Sequence, residues 1–217
     1  MPTVDEDALV RALLTTEGRT FAQEAGIRLA DTPGPLYQLL VLATLASARI
    51  SAGVAVTAAR ELFAAGYRSP RAMRGATWQD LVDALDRGRY ARYDGRTATM
   101  LADGADLLIS RWHGDLRLLR EDAGGAPRRI AGLLMHFPGI GPAGADIFLR
   151  EVQDVWPSVA PYADARVADG ARKTGLPVEP AALAALAGAG NLARITSALV
   201  RVSRSERVAA RVLAAAR

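Results

Sequence analysis

The sequence predicts an all-α protein. Ala, Leu and Arg, all good helix formers, dominate a chain of 217 residues that is 50% apolar but only 6% aromatic. Apolar residues recur at roughly helical spacing between Pro, Gly and capping residues, and no repeat, heptad array or low-complexity tail interrupts them. A chain of this length buries a core either as one domain or as two small lobes.

Residues 5–30 read as one or two amphipathic helices, closed by the turn-forming stretch Asp31-Thr32-Pro33-Gly34-Pro35. Leu36 to Ala48 is apolar on nearly every face, the pattern of a helix surrounded by others. Ser51 to Ala65 predicts a second helix that stops at Gly66. Short helices follow: Ser69 before Pro70 is an N-cap with proline at the first helical position, and Thr77-Trp78-Gln79-Asp80 approximates a capping box before Leu81, Val82 and Leu85. One helix is predicted from Arg96 to about Leu119, and 122–126 is a loop. Pro127 opens a helix over 127–136, the tight segment Phe137 to Gly141 reverses the chain, and a helix over 142–152 follows. Helices over 165–174, 180–187 and 191–216 complete the chain.

The net charge is +4 and the pI about 9.9. All the basic residues except Lys173 are arginine, which permits phosphate binding without establishing it. No cysteine is present, which excludes disulfides, thiolate zinc sites and cysteine-ligated iron–sulfur clusters. His113 and His136 are too few and too unrelated in spacing for a metal centre, so no metal site is expected. The acidic opening Asp5, Glu6, Asp7 does not read as a signal peptide, and Leu36 to Ile50 is too short and too polar to span a bilayer. A monomer with no membrane partner, cytoplasmic and nucleoid-associated, is the expectation.

Chemistry concentrates at Pro138-Gly139-Ile140-Gly141. Glycines let a backbone turn tightly and come close to a ligand, and the first amides of the helix after it have no intrahelical partner and sit at the positive end of its dipole. Together they make a sequence-neutral phosphate site. Pro142 is tolerated in the first turn, and Gly144 and Ala145 are expected to keep the outer face of that turn small enough for a sugar-phosphate backbone. The same residues also read as a plain chain reversal between core helices.

Leu133 to Ala145, Leu-Leu-Met-His-Phe-Pro-Gly-Ile-Gly-Pro-Ala-Gly-Ala, resembles the hairpin signature of the helix-hairpin-helix DNA glycosylases of the endonuclease III type. Trp156-Pro157-Ser158-Val159-Ala160 followed by Asp164 resembles the stretch that carries that family's catalytic aspartate. Leu45-Ala46-Ser47-Ala48-Arg49 is similar to its Leu-Ser-Ala-Gln segment, and Tyr93-Asp94-Gly95-Arg96-Thr97 falls at its Tyr-x-x-Lys/Arg-Ala position. The four landmarks cover about residues 36–175, in the family's order.

The resemblance implies two helical lobes with an interlobe DNA cleft. One lobe would span about 35–141, the other 1–34 plus 142–217, with the helix-hairpin-helix over about 127–152. It implies a partner, double-stranded DNA containing a lesion or mismatch, held through Gly139, Ile140, Gly141, Ala143, Gly144, Ala145, Arg49 and Arg166, with Arg49 in the position of the residue that fills the gap left by a flipped nucleotide. Arg128, Arg129 and Arg172 are further DNA-side residues, whereas Arg201, Arg204, Arg207 and Arg211 read as a solvated face. Tyr93 and Tyr162 are base-pocket candidates.

Asp164 is implied as the catalytic carboxylate, since breaking a deoxyribosyl bond builds positive charge on the sugar. Read alone, it is equally an Asp N-cap, and Pro161-Tyr162-Ala163 lengthens the spacing before it. Asp169 and Asp146 are the fallback carboxylates. Strand-cutting relatives carry a Schiff-base lysine where this chain has Ala143, and Lys173 lies nine residues past Asp164 on a face that reads as solvated. The implied activity is therefore monofunctional, with no cofactor beyond an optional monovalent cation on hairpin carbonyls and with no iron–sulfur cluster. The alternative is a catalytically inactive protein that recognises damaged or bent DNA.

Overall fold

The computed structural model describes residues 5–217, in which every regular element is an α-helix. The fold is all-α. Two compact units divide the chain: a central unit, Phe21–Leu149, and a terminal unit that joins the described residues up to Thr20 to Arg150–Arg217. The sequence-derived limits at 35 and 141 both fall inside the central unit.

Helix α1 (Glu6–Thr16) starts at Asp5, whose side chain accepts from the Asp7 amide, and belongs to the terminal unit. The central unit then runs through α2 (Phe21–Glu24), α3 (Pro33–Ala46), α4 (Ala52–Ala64), α5 (Pro70–Gly75) and α6 (Trp78–Arg87). Proline in the first turn of α3 and of α5, and the Thr77–Asp80 capping box of α6, place these starts where local chemistry dictates. Helix α3 is buried along most of its length. Its Leu36, Leu39, Leu42 and Leu45 are fully buried, each contributing roughly 2 kcal/mol of burial.

Helix α7 (Asp94–Trp112) packs on α5 and α6 and ends where His113 takes a left-handed conformation, φ 54°. That C-cap divides the single helix predicted to Leu119, and α8 (Leu116–Asp122) restarts on an Asp115 cap that accepts from the Arg117 amide. Helices α9 (Pro127–Leu134) and α10 (Pro142–Val152) follow, with the last turn of α10, from Arg150, assigned to the terminal unit.

The terminal unit is built around α13 (Leu192–Arg204), preceded by α11 (Ala165–Thr174) and α12 (Pro180–Ala187) and followed by α14 (Glu206–Ala215). The long helix predicted over 191–216 is divided at Ser205, whose hydroxyl accepts from the Val208 amide and caps α14. Helices α11 and α13 meet at Gly170, where a Cβ would lie 2.1 Å from the Leu199 carbonyl oxygen, so only glycine permits this crossing. Among the described residues no single helix is long and apolar enough to cross a membrane.

Candidate nucleic-acid interface and active site

The reversal between α9 and α10 is pinned from beneath. Phe137 is buried and stacks on Trp112 of α7, ring centroids 5.8 Å apart. The Ile140 amide donates to the Phe137 carbonyl at 3.0 Å, and the Ile140 side chain is buried too. Gly139 has φ +86°, and a Cβ there would come within 2.9 Å of Met100 Sδ. Gly141 faces open space, and Pro142 and Ala143 are exposed. Gly144 and Ala145 are oriented differently from the sequence expectation. Both are buried, and a Cβ on Gly144 would sit 2.2 Å from Ser47 Oγ. Their smallness therefore serves packing of α10 against the end of α3, not clearance on the outer face.

Beside the hairpin, still within the central unit, lies an open cleft of about 310 Å³, lined by residues from the end of α3, the start of α7 and Gly139. Arg49, Tyr93 and Gly139, which sequence reasoning singled out in three separate segments of the chain, all line it. Arg49 sits in the bend between α3 and α4 and is exposed, as is Arg96. Half-buried Tyr93 precedes α7, and the Arg92 guanidinium lies 5.4 Å from its ring centroid. Thr44, Ser47, Ala48, Thr97 and Met100 complete the wall with Tyr90. Tyr90 is buried and donates to the Leu45 carbonyl at 3.0 Å, and burial pushes its hydroxyl pKa up. Sequence reasoning gave Arg96, Thr97 and Met100 no role, although with Tyr93 they form an i, i+3, i+4, i+7 stripe on one face of α7.

Asp164 occupies a different kind of niche, in the terminal unit. One carboxylate oxygen accepts from the Val167 amide at 3.0 Å and caps α11, while the other is ion-paired with Arg150 of α10. The two side chains are only 7% and 4% exposed, so the guanidinium offsets the charge of a carboxylate largely removed from water. Sequence reasoning missed Arg150, fourteen residues away. The loop before Asp164 contains a cis Ala160–Pro161 peptide and is gripped by buried Gln153. That side chain accepts from the Tyr162 amide at 2.9 Å and donates to the Arg150 carbonyl at 3.0 Å. Tyr162 is half-buried, and Arg166, in the first turn of α11, is exposed. Tyr162 and Arg166 belong to the terminal unit.

Of the fallback carboxylates, Asp169 is exposed and pairs with Arg172 at 2.6 Å, and Asp146 lies half-buried in α10. Lys173 donates to the Ser203 carbonyl at 3.2 Å and pairs with Glu206. Arg111 lies 2.8 Å from His136 Nδ1, which holds the imidazole against α7. Arg129 donates to the Asp122 carbonyl, and Arg128 is exposed. The solvated face expected for the C-terminal arginines is partly a brace: Arg201 donates to the Glu17 carbonyl, and Arg211 pairs with the buried Glu17 carboxylate. Among the described residues no group of three or more His, Asp or Glu is placed to hold a metal ion.

No protein-family profile and no curated protein matches the chain. Among solved structures, it is similar to the protein of a trapped endonuclease III–DNA covalent intermediate, an estranged-adenine complex. The identity is 17% over 91% of this chain and 85% of the other, with a TM-score of 0.48. A likeness this remote transfers no residue's role.

Proposed function

We propose that this protein binds duplex DNA containing a lesion or mismatch and hydrolyses the N-glycosidic bond of one base without cutting the strand. The observation that carries the reading is the meeting of Arg49, Tyr93 and the hairpin residue Gly139 in one cleft, three positions that the resemblance to helix-hairpin-helix glycosylases assigns to DNA. The turn after Gly141, where Pro142 and Ala143 are exposed, offers first-turn amides to a backbone phosphate. The cleft receives an extruded nucleotide, with its base against Tyr93 and the guanidinium of Arg49 reaching the gap or a flanking phosphate.

Asp164 is assigned the carboxylate that the chemistry requires. Water adds at the sugar C1′ as the base departs with its bonding electrons and takes up a proton, and a fixed negative charge stabilises the cationic sugar between those events. Ala143 has no amine with which to form a Schiff base, so the product is an intact strand bearing an abasic site. The protein acts as a monomer, in the cytoplasm at the nucleoid, without a cofactor other than an optional monovalent cation on the hairpin carbonyls.

A second reading is favoured by one observation. The carboxylate of Asp164 is already engaged by Arg150 and the Val167 amide, as in a purely structural cap. On that reading the protein recognises damaged or bent DNA and performs no chemistry. Single-turnover incubation with a panel of lesion-bearing duplexes, analysed on gels before and after alkali, separates the two. Alkali-dependent breakage at one lesion supports hydrolysis. Tight binding with no breakage on any duplex supports recognition alone.

A further inference from the structure

Four polar side chains at the end of α10 each hold a different part of the terminal unit. Arg150 is ion-paired with Asp164. Glu151 accepts from the Ser197 hydroxyl of α13 at 2.8 Å, and Asp154 accepts from the Leu192 and Ala193 amides at 3.2 Å each. Gln153 bridges two segments at once. Its carbonyl oxygen accepts from the Tyr162 amide at 2.9 Å, while its nitrogen donates to the Arg150 carbonyl at 3.0 Å, the Tyr162 carbonyl at 3.3 Å and Thr196 Oγ1 at 3.4 Å. It thus engages both backbone polar groups of Tyr162, two residues before Asp164, and with the same nitrogen holds the backbone of Arg150. A neutral amide suits this place: it supplies donor and acceptor together and adds no charge beside a buried ion pair, whereas a carboxylate lacks the donor and an ammonium the acceptor.

We infer that Gln153 is a positioning residue for the Asp164 carboxylate: by tying the Tyr162 backbone to that of Arg150, it fixes how the two partners of the ion pair meet and where the carboxylate points. The role rests on the proposed hydrolysis, in which that carboxylate steadies a cationic sugar. A guanidinium has five donors and a carboxylate two acceptor oxygens, so contact alone leaves several pairings open, and the anchored backbones select one. Gln153 is only 2% exposed and does not itself reach a substrate, so its effect on the reaction passes through Asp164. Misplacing a reacting group by about 1 Å costs on the order of 100-fold in rate.

The test compares Gln153→Met with Thr196→Val. The first keeps the size of the side chain and removes all its hydrogen bonds. The second, at an equally buried position of the same network, removes only the longest of three bonds from a nitrogen that has two protons to share among them. Urea unfolding checks that each variant folds, and should Gln153→Met fail to fold, Gln153→Asn, which draws the amide back by one methylene, takes its place with the same outcomes. Amide hydrogen exchange is followed by NMR on the protein alone. Only Gln153→Met is expected to speed exchange of the Val167 amide, which donates to Asp164, by about tenfold, while the Ala171 amide further along α11 holds. Single-turnover base release is measured on duplexes carrying one uracil, hypoxanthine, thymine glycol or 7-methylguanine. On the duplex that wild type cleaves, only Gln153→Met is expected to lower the rate at saturation, by about 100-fold, with affinity within about threefold. Unchanged Val167 exchange in Gln153→Met, or an equal loss of rate in both variants, overturns the inference. A wild type that releases no base from any duplex defeats the proposed function instead, and Val167 exchange then still decides whether Gln153 positions Asp164.

Discussion

The cleft of the central unit and the Asp164 niche of the terminal unit treat charge in opposite ways. At the cleft, Arg49 and Arg96 stand exposed and, among the described residues, without partners, while the polar groups behind them are satisfied by backbone. At the niche, both charges are buried, and each is matched by the other. Charge without a partner at the mouth of a cavity is available to a ligand. Charge buried in a matched pair is held in one geometry and reports first on folding. A carboxylate so held serves catalysis only if fixed position is worth more than the field its partner cancels, and that is the point at which the comparison is most easily broken.

The largest expected effect is at Asp164. Asp164→Asn keeps the size and a helix-capping oxygen but removes the negative charge, so single-turnover base release is expected to fall by roughly 1000-fold. The same change leaves Arg150 buried and unpaired, which is expected to lower stability by about 3–5 kcal/mol in urea unfolding. The double variant Asp164→Asn/Arg150→Met separates the two losses: stability is expected to recover most of the way, base release not at all. If activity also returned, Asp164 would be a folding device and the chemistry would lie elsewhere.

Sequence reading reached the parts of this fold that local chemistry specifies. Pro70, Pro127 and Pro142 open helices, and the Thr77–Asp80 box closes on itself within one turn. It also found Arg49, Tyr93 and Gly139 by resemblance, before any geometry brought them together. It missed the left-handed cap at His113, although His takes positive φ more readily than most residues and Gly114 directly follows it. It missed Arg150 because a pairing across fourteen residues depends on where α10 ends and how the Gln153-gripped loop returns. Gly144 was read outward because periodicity alone does not say which face of a short helix the core will claim.

The hairpin contains its own version of the comparison, and two of its glycines answer to different demands. Gly141 has open space around it, so Gly141→Glu is expected to leave the melting temperature within a degree or two of wild type while its bulk and negative charge weaken binding to every duplex by about tenfold or more. Unchanged affinity would return the hairpin to a plain chain reversal. Gly144→Ala, by contrast, drives a methyl group to 2.2 Å from Ser47 Oγ and is expected to lower stability by about 1–3 kcal/mol. Adding Ser47→Ala removes the obstructing oxygen and is expected to restore most of that loss. Without such a rescue, the Gly144 contact would not be the cause.

The smallest effect is expected at Lys173, and its smallness is informative because this is the chain's one lysine. Its ammonium is spent on the Ser203 carbonyl and on Glu206, whose side chain is 83% exposed, in a pairing within the terminal unit that joins α11 to the start of α14. Exposed pairs of this kind contribute about 0–1 kcal/mol, so Lys173→Ala is expected to shift stability by no more than that. A Schiff-base route would need this amine free of its proton and in contact with a sugar C1′. Borohydride treatment during turnover is therefore expected to trap no protein–DNA adduct in wild type or variant, and base release by Lys173→Ala is expected to match wild type within about twofold. Strand breakage without alkali that vanished in Lys173→Ala would reverse the assignment: the ion pair with Glu206 would then have to open to release the nucleophile, and the charge-matched terminal unit would hold a reactive group that its resting geometry conceals.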